Sequence, residues 1–338
     1  MKAYRLVPGA GIAGLRQEQV PERPLGAFDV RVALHAAALN ARDLAIARGQ
    51  YGGLTGDAIT PLSDGVGTVV AVGPSVTRVA VGDHVIATFW PDWIDGEGTR
   101  ESQVRSFGAQ LDGTLAEQLV APETALVHAP ARLSDAGAAS IACAGVTAWN
   151  ALFVQGGLRP GASVLILGTG SVATWALQLA KAAGLHAIVT SSSNGKLAEA
   201  ERLGARGVVN YAEHAEWQDE VLRLTGGEGV DLVLEVGGQD TLARSLAAVR
   251  FGGRVVVIGG VSGWGDVKLS PGALVGGKKT LGGLMVGSRR MTEDLVRFID
   301  TTGLTPVVDS VFPYAEATNA YERLASGSAF GKVVVSLK

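Results

Sequence analysis

The stretch VLILGTGSVATWALQLAKAAG, residues 164–184, decides the fold of this chain. An apolar run that predicts a buried strand ends at Gly168, and an apolar pattern typical of a helix follows. Gly168, Gly170 and Ala173 have G-x-G-x-x-A spacing, which suits a tight turn, close approach of a pyrophosphate, and close packing of helix on strand. The turn predicts a dinucleotide site at Gly168, Thr169, Gly170, Ser171, Val172 and Ala173. A turn without a ligand, or one for S-adenosylmethionine, stays open.

The sequence on either side of this turn predicts two architectures. From residue 159 onward, apolar strands such as HAIVTS and VDLVLEVGG alternate with helical stretches, which indicates a doubly wound parallel sheet of the Rossmann type. Up to about residue 125, short valine-rich runs such as VRVALHAAAL and GVGTVVAVG are broken by Gly, Pro and Asp, which is typical of a compact β-barrel. The predicted fold class is α/β, and the tail after residue 286 is expected to return to the first domain.

The end of the second predicted Rossmann strand favours NADPH as the cofactor. An NAD enzyme normally offers Asp or Glu there to the ribose, but this chain has Ser191 and Ser192, with Lys196 close behind. Hydroxyl groups donate to a 2'-phosphate, and a lysine adds positive charge. The alternative is a solvated start of a helix, with Asn194 as its cap.

Composition excludes several classes of protein. The 338 residues carry a formal net charge of -3, so the basic excess that binds nucleic acid is missing. No apolar run is long enough to cross a bilayer, and the first residues lack the apolar core of a signal peptide. A single cysteine, Cys143, excludes internal disulfides and any zinc site built from several thiolates. We expect a soluble, cytoplasmic protein without a membrane or nucleic-acid partner.

Further motifs resemble the medium-chain dehydrogenase/reductase superfamily, and within it the zinc-free branch that contains quinone oxidoreductases. LNARDLAIARGQY, PLSDGVGTVVAVG, GTLAEQLV, CAGVTAWNAL, LEVGG and FGKVVV occur in the order that this family shows. The resemblance implies a GroES-like β-barrel catalytic domain at 1–125, a Rossmann domain at 126–285 and a segment at 286–338 that returns to the catalytic domain.

The same resemblance implies that no catalytic zinc is bound. Where zinc alcohol dehydrogenases have a cysteine and a histidine ligand, this chain has Asn40 and Ser63, and Cys143 alone matches a ligand. One thiolate with an amide and a hydroxyl does not make the three-ligand site of catalytic zinc. A site made from Asp64, Cys143 and one of the five histidines is the alternative.

Without a Lewis acid, the substrate must itself be electrophilic, as quinones and α,β-unsaturated carbonyls are. The resemblance places Tyr51 beside the substrate as orienter or proton donor, with a surface tyrosine as the alternative. Asn40 has amide groups that can hold a carbonyl or a ribose, or it is a helix cap. Phe89, Trp90 and Trp93 either line an apolar substrate pocket or are ordinary core.

The resemblance also implies cofactor contacts outside the glycine turn. They are Thr147 on the nicotinamide side, Lys196 and Tyr211 near the adenosine phosphate, Ile258 and Val261 after one strand, Val286 and Ser288 in the next loop, and Lys332 in the tail.

The sequence thus predicts an NADPH-dependent reductase of quinones or α,β-unsaturated carbonyls. An alcohol or aldehyde dehydrogenase of the same superfamily and a dinucleotide-binding sensor without turnover are the alternatives. A homodimer is expected, because relatives pair through the edge of the Rossmann sheet and the run 272–287 is apolar and rich in glycine.

Overall fold

The computed structural model describes residues 1–54 and 56–338. These divide into a first unit, residues 1–146 and 286–338, and a second unit, residues 147–285. Among the described residues, no helix combines the length and the apolar character that crossing a membrane requires.

The strands are, in chain order, β1 (Lys2–Arg5), β2 (Arg16–Gln19), β3 (Asp29–Ala38), β4 (Asp64–Val72), β5 (His84–Ala87), β6 (Gln118–Pro122), β7 (Leu126–His128), β8 (Ser163–Leu167), β9 (His186–Ser191), β10 (Gly207–Asn210), β11 (Val230–Glu235), β12 (Val249–Val257), β13 (Thr280–Gly283), β14 (Val308–Pro313) and β15 (Lys332–Ser336). The α-helices are α1 (Ala41–Ala47), α2 (Asp135–Ala139), α3 (Val146–Trp149), α4 (Ser171–Ala182), α5 (Asn194–Leu203), α6 (Trp217–Leu224), α7 (Leu242–Ala248), α8 (Pro271–Gly277), α9 (Arg289–Thr302) and α10 (Ala317–Ala325). Two π-helical segments, Ile141–Gly145 and Asn150–Val154, flank α3.

The first unit is built on a sheet in the order β14-β15-β3-β4-β5-β7, with β6 also paired to β3. Every second residue of β3 is buried through Leu34, so one face of the strand packs into a core. Val30, Val32 and Leu34 pack there with Val69 of β4 and Val85 of β5. Each such buried side chain stabilises the fold by about 1.5–3 kcal/mol relative to exposure.

The first unit extends further than the boundary at residue 125 that the sequence predicts. Residues 126–146 lie in it because β7 pairs with β5, and the tail from residue 286 lies in it because β15 pairs with β3. The tail therefore contributes two strands to the sheet of the first unit.

The second unit confirms the predicted doubly wound parallel sheet. Its strands run in the order β10-β9-β8-β11-β12-β13, and every pair is parallel. From β8 the chain adds strands first on one side of the sheet, β9 and β10, and then on the other, β11 to β13. Ligands of such sheets bind at the carboxyl ends of the strands at this switch point, between β8 and β11. The glycine turn follows β8 and therefore lies at that end of the sheet.

Candidate functional site

The register of three strands brings polar residues together in the first unit. Ala38 pairs with Asp64 of β4 on one side and with Val334 of β15 on the other. The Leu39 amide also donates to the Val333 carbonyl at 3.0 Å. Asn40, which follows β3, therefore lies beside both Asp64 and Lys332, the first residue of β15.

Lys332 is the centre of this buried polar group. Its side chain has no exposed surface, and its ammonium lies 3.0 Å from Oδ2 of Asp64, which is also fully buried. The same ammonium donates to Oδ1 of Asn40. A buried charge is stable in a protein only when it is paired and hydrogen-bonded, and Lys332 meets both conditions.

Asp64 receives two further hydrogen bonds. The Ser63 hydroxyl donates to Oδ1 at 2.6 Å, and the Cys143 amide donates to Oδ2 at 3.3 Å. Burial and the nearby charge of Asp64 raise the pKa of the Cys143 thiol to about 12. Cys143 is therefore a neutral thiol at neutral pH, which makes it a poor nucleophile.

Asn40 is the N-cap residue of α1, in agreement with the alternative that it acts as a helix cap. Its backbone amide donates to Oδ2 of Asp43 at 2.7 Å, so the carboxylate holds the start of the helix. Among the residues that the structure describes, none makes a hydrogen bond to the other oxygen, Oδ1, which lies 3.8 Å from a guanidinium nitrogen of Arg42. Burial raises the pKa of Asp43 to about 6, against the opposing effects of Arg42 and of the Asn40 amide.

Arg42 connects this helix to the aromatic residues that the sequence singled out. Its guanidinium carbon lies 4.4 Å from the centre of the Phe89 ring and 5.8 Å from that of the Tyr51 ring. It also donates to the Ser106 hydroxyl at 2.7 Å. Arg42 was not predicted as a site residue. Its place in the sequence between Asn40 and Asp43 was the signal that could have identified it.

The three predicted pocket aromatics are buried within the first unit. Phe89 and Trp90 pack edge to face, with ring centres 4.8 Å apart. The indole of Trp93 donates to the Gly96 carbonyl at 3.1 Å. The backbone carbonyl of Trp93 accepts from the backbone amide of Arg289, at the start of α9. Tyr51 is partly buried and packs against the core of the first unit. Their contact with substrate stays a prediction.

The glycine turn of the second unit has the conformation that a dinucleotide needs. Gly168 has φ +76°, a value that L side chains rarely adopt, and Gly170 caps α4 in an extended conformation. No atom lies within 4 Å of the position of a Cβ at either glycine, so the backbone is open to a phosphate there. The helix N-terminus supplies free amides and a positive dipole. These residues fit a pyrophosphate, while Ala173 is buried in the helix.

The predicted adenosine side lies at the ends of β9 and β10. The Tyr211 amide donates to the Ser191 carbonyl at 3.1 Å, which holds Tyr211 close to Ser191. Ser192 is exposed. Ser193, not Asn194, caps α5, because its hydroxyl accepts from the Lys196 amide at 3.4 Å. Lys196 thus lies in the first turn of a helix that opens beside Ser191.

The loops after β11 and β12 are tied together by Glu235, which the sequence did not single out. Its buried carboxylate accepts from the amides of Gly237 and Gly238, at 2.6 and 3.0 Å, and from two hydroxyl groups. Its backbone carbonyl accepts from Ile258 at 2.8 Å. Val261 is 84% exposed, and Thr147 is buried in α3.

The remaining predicted cofactor residues lie in the first unit. Val286 has φ +57°, an unusual backbone conformation for a β-branched residue. Ser288 caps α9 by accepting from the Met291 amide at 3.2 Å. The ammonium of Lys332 is engaged by Asp64 and Asn40, so the structure gives this lysine contacts that the sequence did not predict.

Comparison with known proteins decides the family. The family described as "Alcohol dehydrogenase GroES-like domain" matches residues 26–131, and the one described as "Zinc-binding dehydrogenase" matches residues 171–301. A zinc-type alcohol dehydrogenase-like protein of Schizosaccharomyces pombe is 39% identical over 97% of this chain and 96% of its own length. The chain belongs to the medium-chain dehydrogenase/reductase superfamily.

Solved structures of the superfamily show the same fold along the whole chain. A putative alcohol dehydrogenase from Sinorhizobium meliloti is 40% identical, covers 100% of this chain and 99% of its own, and superposes with a TM-score of 0.92. A quinone oxidoreductase of Pseudomonas syringae is 26% identical, covers 99% of both chains and has a TM-score of 0.83. The chain is therefore an oxidoreductase of the medium-chain superfamily with a GroES-like first domain.

The residues of this superfamily member do not fit a catalytic zinc ion around Asp64. The Lys332 ammonium already lies against the carboxylate, and two positive charges cannot share it without strong repulsion. Of the other candidate ligands, the Asn40 amide and the Ser63 hydroxyl are weak ligands for zinc, which leaves the sulfur of Cys143 alone where catalytic zinc needs three protein ligands.

Proposed function

We propose that this chain is a zinc-independent, NADPH-dependent reductase of quinones or α,β-unsaturated carbonyls. The observation that carries the proposal is the buried contact of the Lys332 ammonium with Asp64 and Asn40. The resemblance aligns Asn40 and Ser63 with zinc ligands of zinc alcohol dehydrogenases, and in this chain the Lys332 ammonium lies against Asn40 and Asp64. An ammonium has no vacant coordination position, so it does not act as a Lewis acid for an alcohol or a carbonyl.

The choice of substrate class follows from that chemistry. Zinc supplies several kcal/mol of stabilisation to an alkoxide, and an enzyme without it must reduce a substrate whose product anion is delocalised. Reduction of a quinone or an enone gives such an anion, which one hydrogen-bond donor can stabilise and protonate. Bound NADPH supplies the hydride for this reduction.

Tyr51 is the proposed proton donor. The Arg42 guanidinium faces both its ring and that of Phe89, which favours one orientation of the phenol beside an apolar surface. Asn40 is a positioning residue, because its Oδ1 accepts from Lys332 and its Nδ2 lies 3.4 Å from the Ser63 hydroxyl. Phe89, Trp90 and Trp93 are the proposed apolar wall against which a flat substrate stacks.

The proposed cofactor is NADPH. Ser191, Ser192 and Lys196 offer hydroxyl groups and a positive charge at the strand end where the ribose of the adenosine is bound in this fold. The glycine turn has the backbone conformation and the open space that the pyrophosphate requires. Both features support the proposal.

The experiment is the oxidation of NADPH with a panel of quinones, enones and aldehydes, and the reduction of NADP⁺ with a panel of alcohols, with the wild type and Tyr51→Phe compared. We expect turnover with quinones or enones and a decrease in kcat of about 100-fold in Tyr51→Phe, with KM much less affected. Tyr314→Phe is the matched control, since that tyrosine is also in the first unit and is not proposed to touch substrate. An unchanged kcat in Tyr51→Phe would remove Tyr51 from the reaction.

An alcohol or aldehyde dehydrogenase is the second candidate, because relatives with high identity carry alcohol dehydrogenase names. Turnover restricted to alcohols or aldehydes in the same panel would favour it. Binding of NADPH without turnover on any member of the panel would favour a sensor.

We further propose that the protein is a homodimer through the edge strand β13 of the second unit. Val275 in α8 is 82% exposed and Trp264 is 79% exposed, and large exposed apolar side chains are typical of an interface. Light scattering should give the mass of a dimer, and Val275→Lys should shift it toward the monomer. Val81→Lys, at an exposed valine of the first unit, should leave the mass unchanged.

A further inference from the structure

Two histidines and an aspartate of the first unit come together on the side of the sheet covered by α2. His35 lies on β3 and His84 on β5, the strands on either side of β4, and Asp135 is the first residue of α2. One ligand atom from each of the three residues lies within 4.8 Å of the other two. None of these residues belongs to the group around Lys332.

We propose that His35, His84 and Asp135 form a binding site for a divalent transition-metal ion of the zinc class. Zinc bound at about 2.0–2.1 Å in tetrahedral geometry needs ligand atoms about 3.3 Å apart. Here Oδ1 of Asp135 lies 2.9 Å from Nε2 of His84 and 3.5 Å from Nδ1 of His35. These two separations bracket the required one, and the ligand nitrogens of the two histidines lie within 4.8 Å of each other, so the rings must turn toward a common ion to bind it.

The surroundings leave the right atoms available. Nδ1 of His35 is buried and faces Oδ1 of Asp135, and Nε2 lies 3.3 Å from the Thr68 hydroxyl on β4. In the tautomer that binds a metal ion, Nε2 donates its proton to the Thr68 hydroxyl and Nδ1 keeps its lone pair, and metal-binding histidines commonly have such a second partner.

Lys338 forms an ion pair with the carboxylate of Asp135, through the oxygen that the histidines do not approach. Its ammonium lies 2.6 Å from Oδ2 of Asp135, whereas both histidines approach Oδ1. A metal ion can therefore bind Oδ1 while Lys338 keeps its contact with Oδ2. The side chain of His84 is 35% exposed, so water can reach the ion as a fourth ligand.

The test is zinc binding by metal-depleted protein, measured by competition with a chromophoric chelator and by the visible spectrum of added Co²⁺. We expect one saturable equivalent in the wild type, and an affinity at least about tenfold lower in His84→Ala and in Asp135→Asn. His128→Ala is the matched control, because His128 also pairs with an aspartate of the first unit, at 3.0 Å from Asp83. It should bind zinc as the wild type does.

Two further variants distinguish this site from zinc binding elsewhere in the protein. Lys338→Met leaves all three ligands in place and removes a nearby positive charge, so it should bind zinc more tightly than the wild type. Cys143→Ser should bind zinc unchanged, which separates this site from one at Asp64. No saturable uptake by the wild type, or equal affinity in His84→Ala and His128→Ala, would overturn the proposal. Circular dichroism confirms that each variant is folded.

Discussion

The ammonium of Lys332 and the carboxylate of Asp64 form an ion pair with an N–O distance of 3.0 Å, and neither side chain is exposed to solvent. The two residues are 268 positions apart in the chain. Removal of one member of such a pair leaves an unpaired buried charge, whereas removal of both leaves none.

Lys332→Met should therefore lower the free energy of unfolding by about 3–5 kcal/mol. Lys332→Met combined with Asp64→Asn should recover part of that loss, since the unpaired carboxylate is then gone. Chemical denaturation of both proteins measures the difference. Arg105→Gln is the control, because its ion pair with Asp92 is exposed and should contribute no more than about 1 kcal/mol. A loss in Lys332→Met as small as in the control would contradict the account.

Asp43 should make the protein less stable as the pH rises between about 4 and 6. Burial raises the pKa of Asp43 from 3.8 to about 6, so the folded protein holds this proton more tightly than the unfolded chain. Ionisation of Asp43 then disfavours folding, with a cost that is absent below both pKa values and complete above both. The asparagine in Asp43→Asn does not titrate. The free energy of unfolding of this variant, relative to that of the wild type, should therefore increase by about 1 kcal/mol between pH 5 and pH 7. Parallel stability curves for the two proteins would refute this.

Gly170→Ala should abolish tight NADPH binding without a loss of stability. The backbone at Gly170 has a negative φ, and an added Cβ meets no atom within 4 Å, so the protein itself tolerates the methyl group. That methyl occupies the space that a pyrophosphate needs. Calorimetry should show Kd for NADPH raised at least about tenfold, or 1.4 kcal/mol. Gly276→Ala serves as the control, because an added Cβ has open space there too. An unchanged Kd in Gly170→Ala would contradict a pyrophosphate site at the glycine turn.

Lys196→Ala should raise KM for NADPH and leave KM for NADH nearly unchanged. The lysine lies in the first turn of α5, beside Ser191, and its charge is proposed to attract the 2'-phosphate that NADH lacks. We expect about a tenfold effect, typical of one charge-assisted hydrogen bond. Arg202→Ala, in the last turn of the same helix, should change neither constant. Equal effects on the two nucleotides would mean that Lys196 does not read the phosphate.

The fold was predictable because its signals are local. The glycine turn, the apolar strands β8, β9 and β11 and the helix α4 follow from periodicity and turn chemistry within short windows of sequence. The π-helical segments around α3 were not predicted, since their sequence has the pattern of an ordinary buried helix. The helix cap at Ser193 was mistaken for Asn194, because both residue types are good caps and only the backbone conformation separates them.

The candidate site was predictable only in part. Asn40, Ser63 and Cys143 were found through the motifs in which they stand, but the contact of Lys332 with Asp64 depends on the register of β15 against β3. The chain between these strands is almost the whole protein, so no local pattern contains this information. Glu235 was missed for a different reason: its four donors lie within the next ten residues, but only the backbone path of that loop and helix turns them toward the carboxylate.

The most direct measurement is the rate of NADPH oxidation with a simple quinone by protein from which all metal has been removed, with metal content determined on the same sample. The account predicts full turnover by the metal-free protein and no increase when zinc is added. No turnover without metal, with activity restored by one equivalent of zinc in a variant that lacks His84, would contradict it.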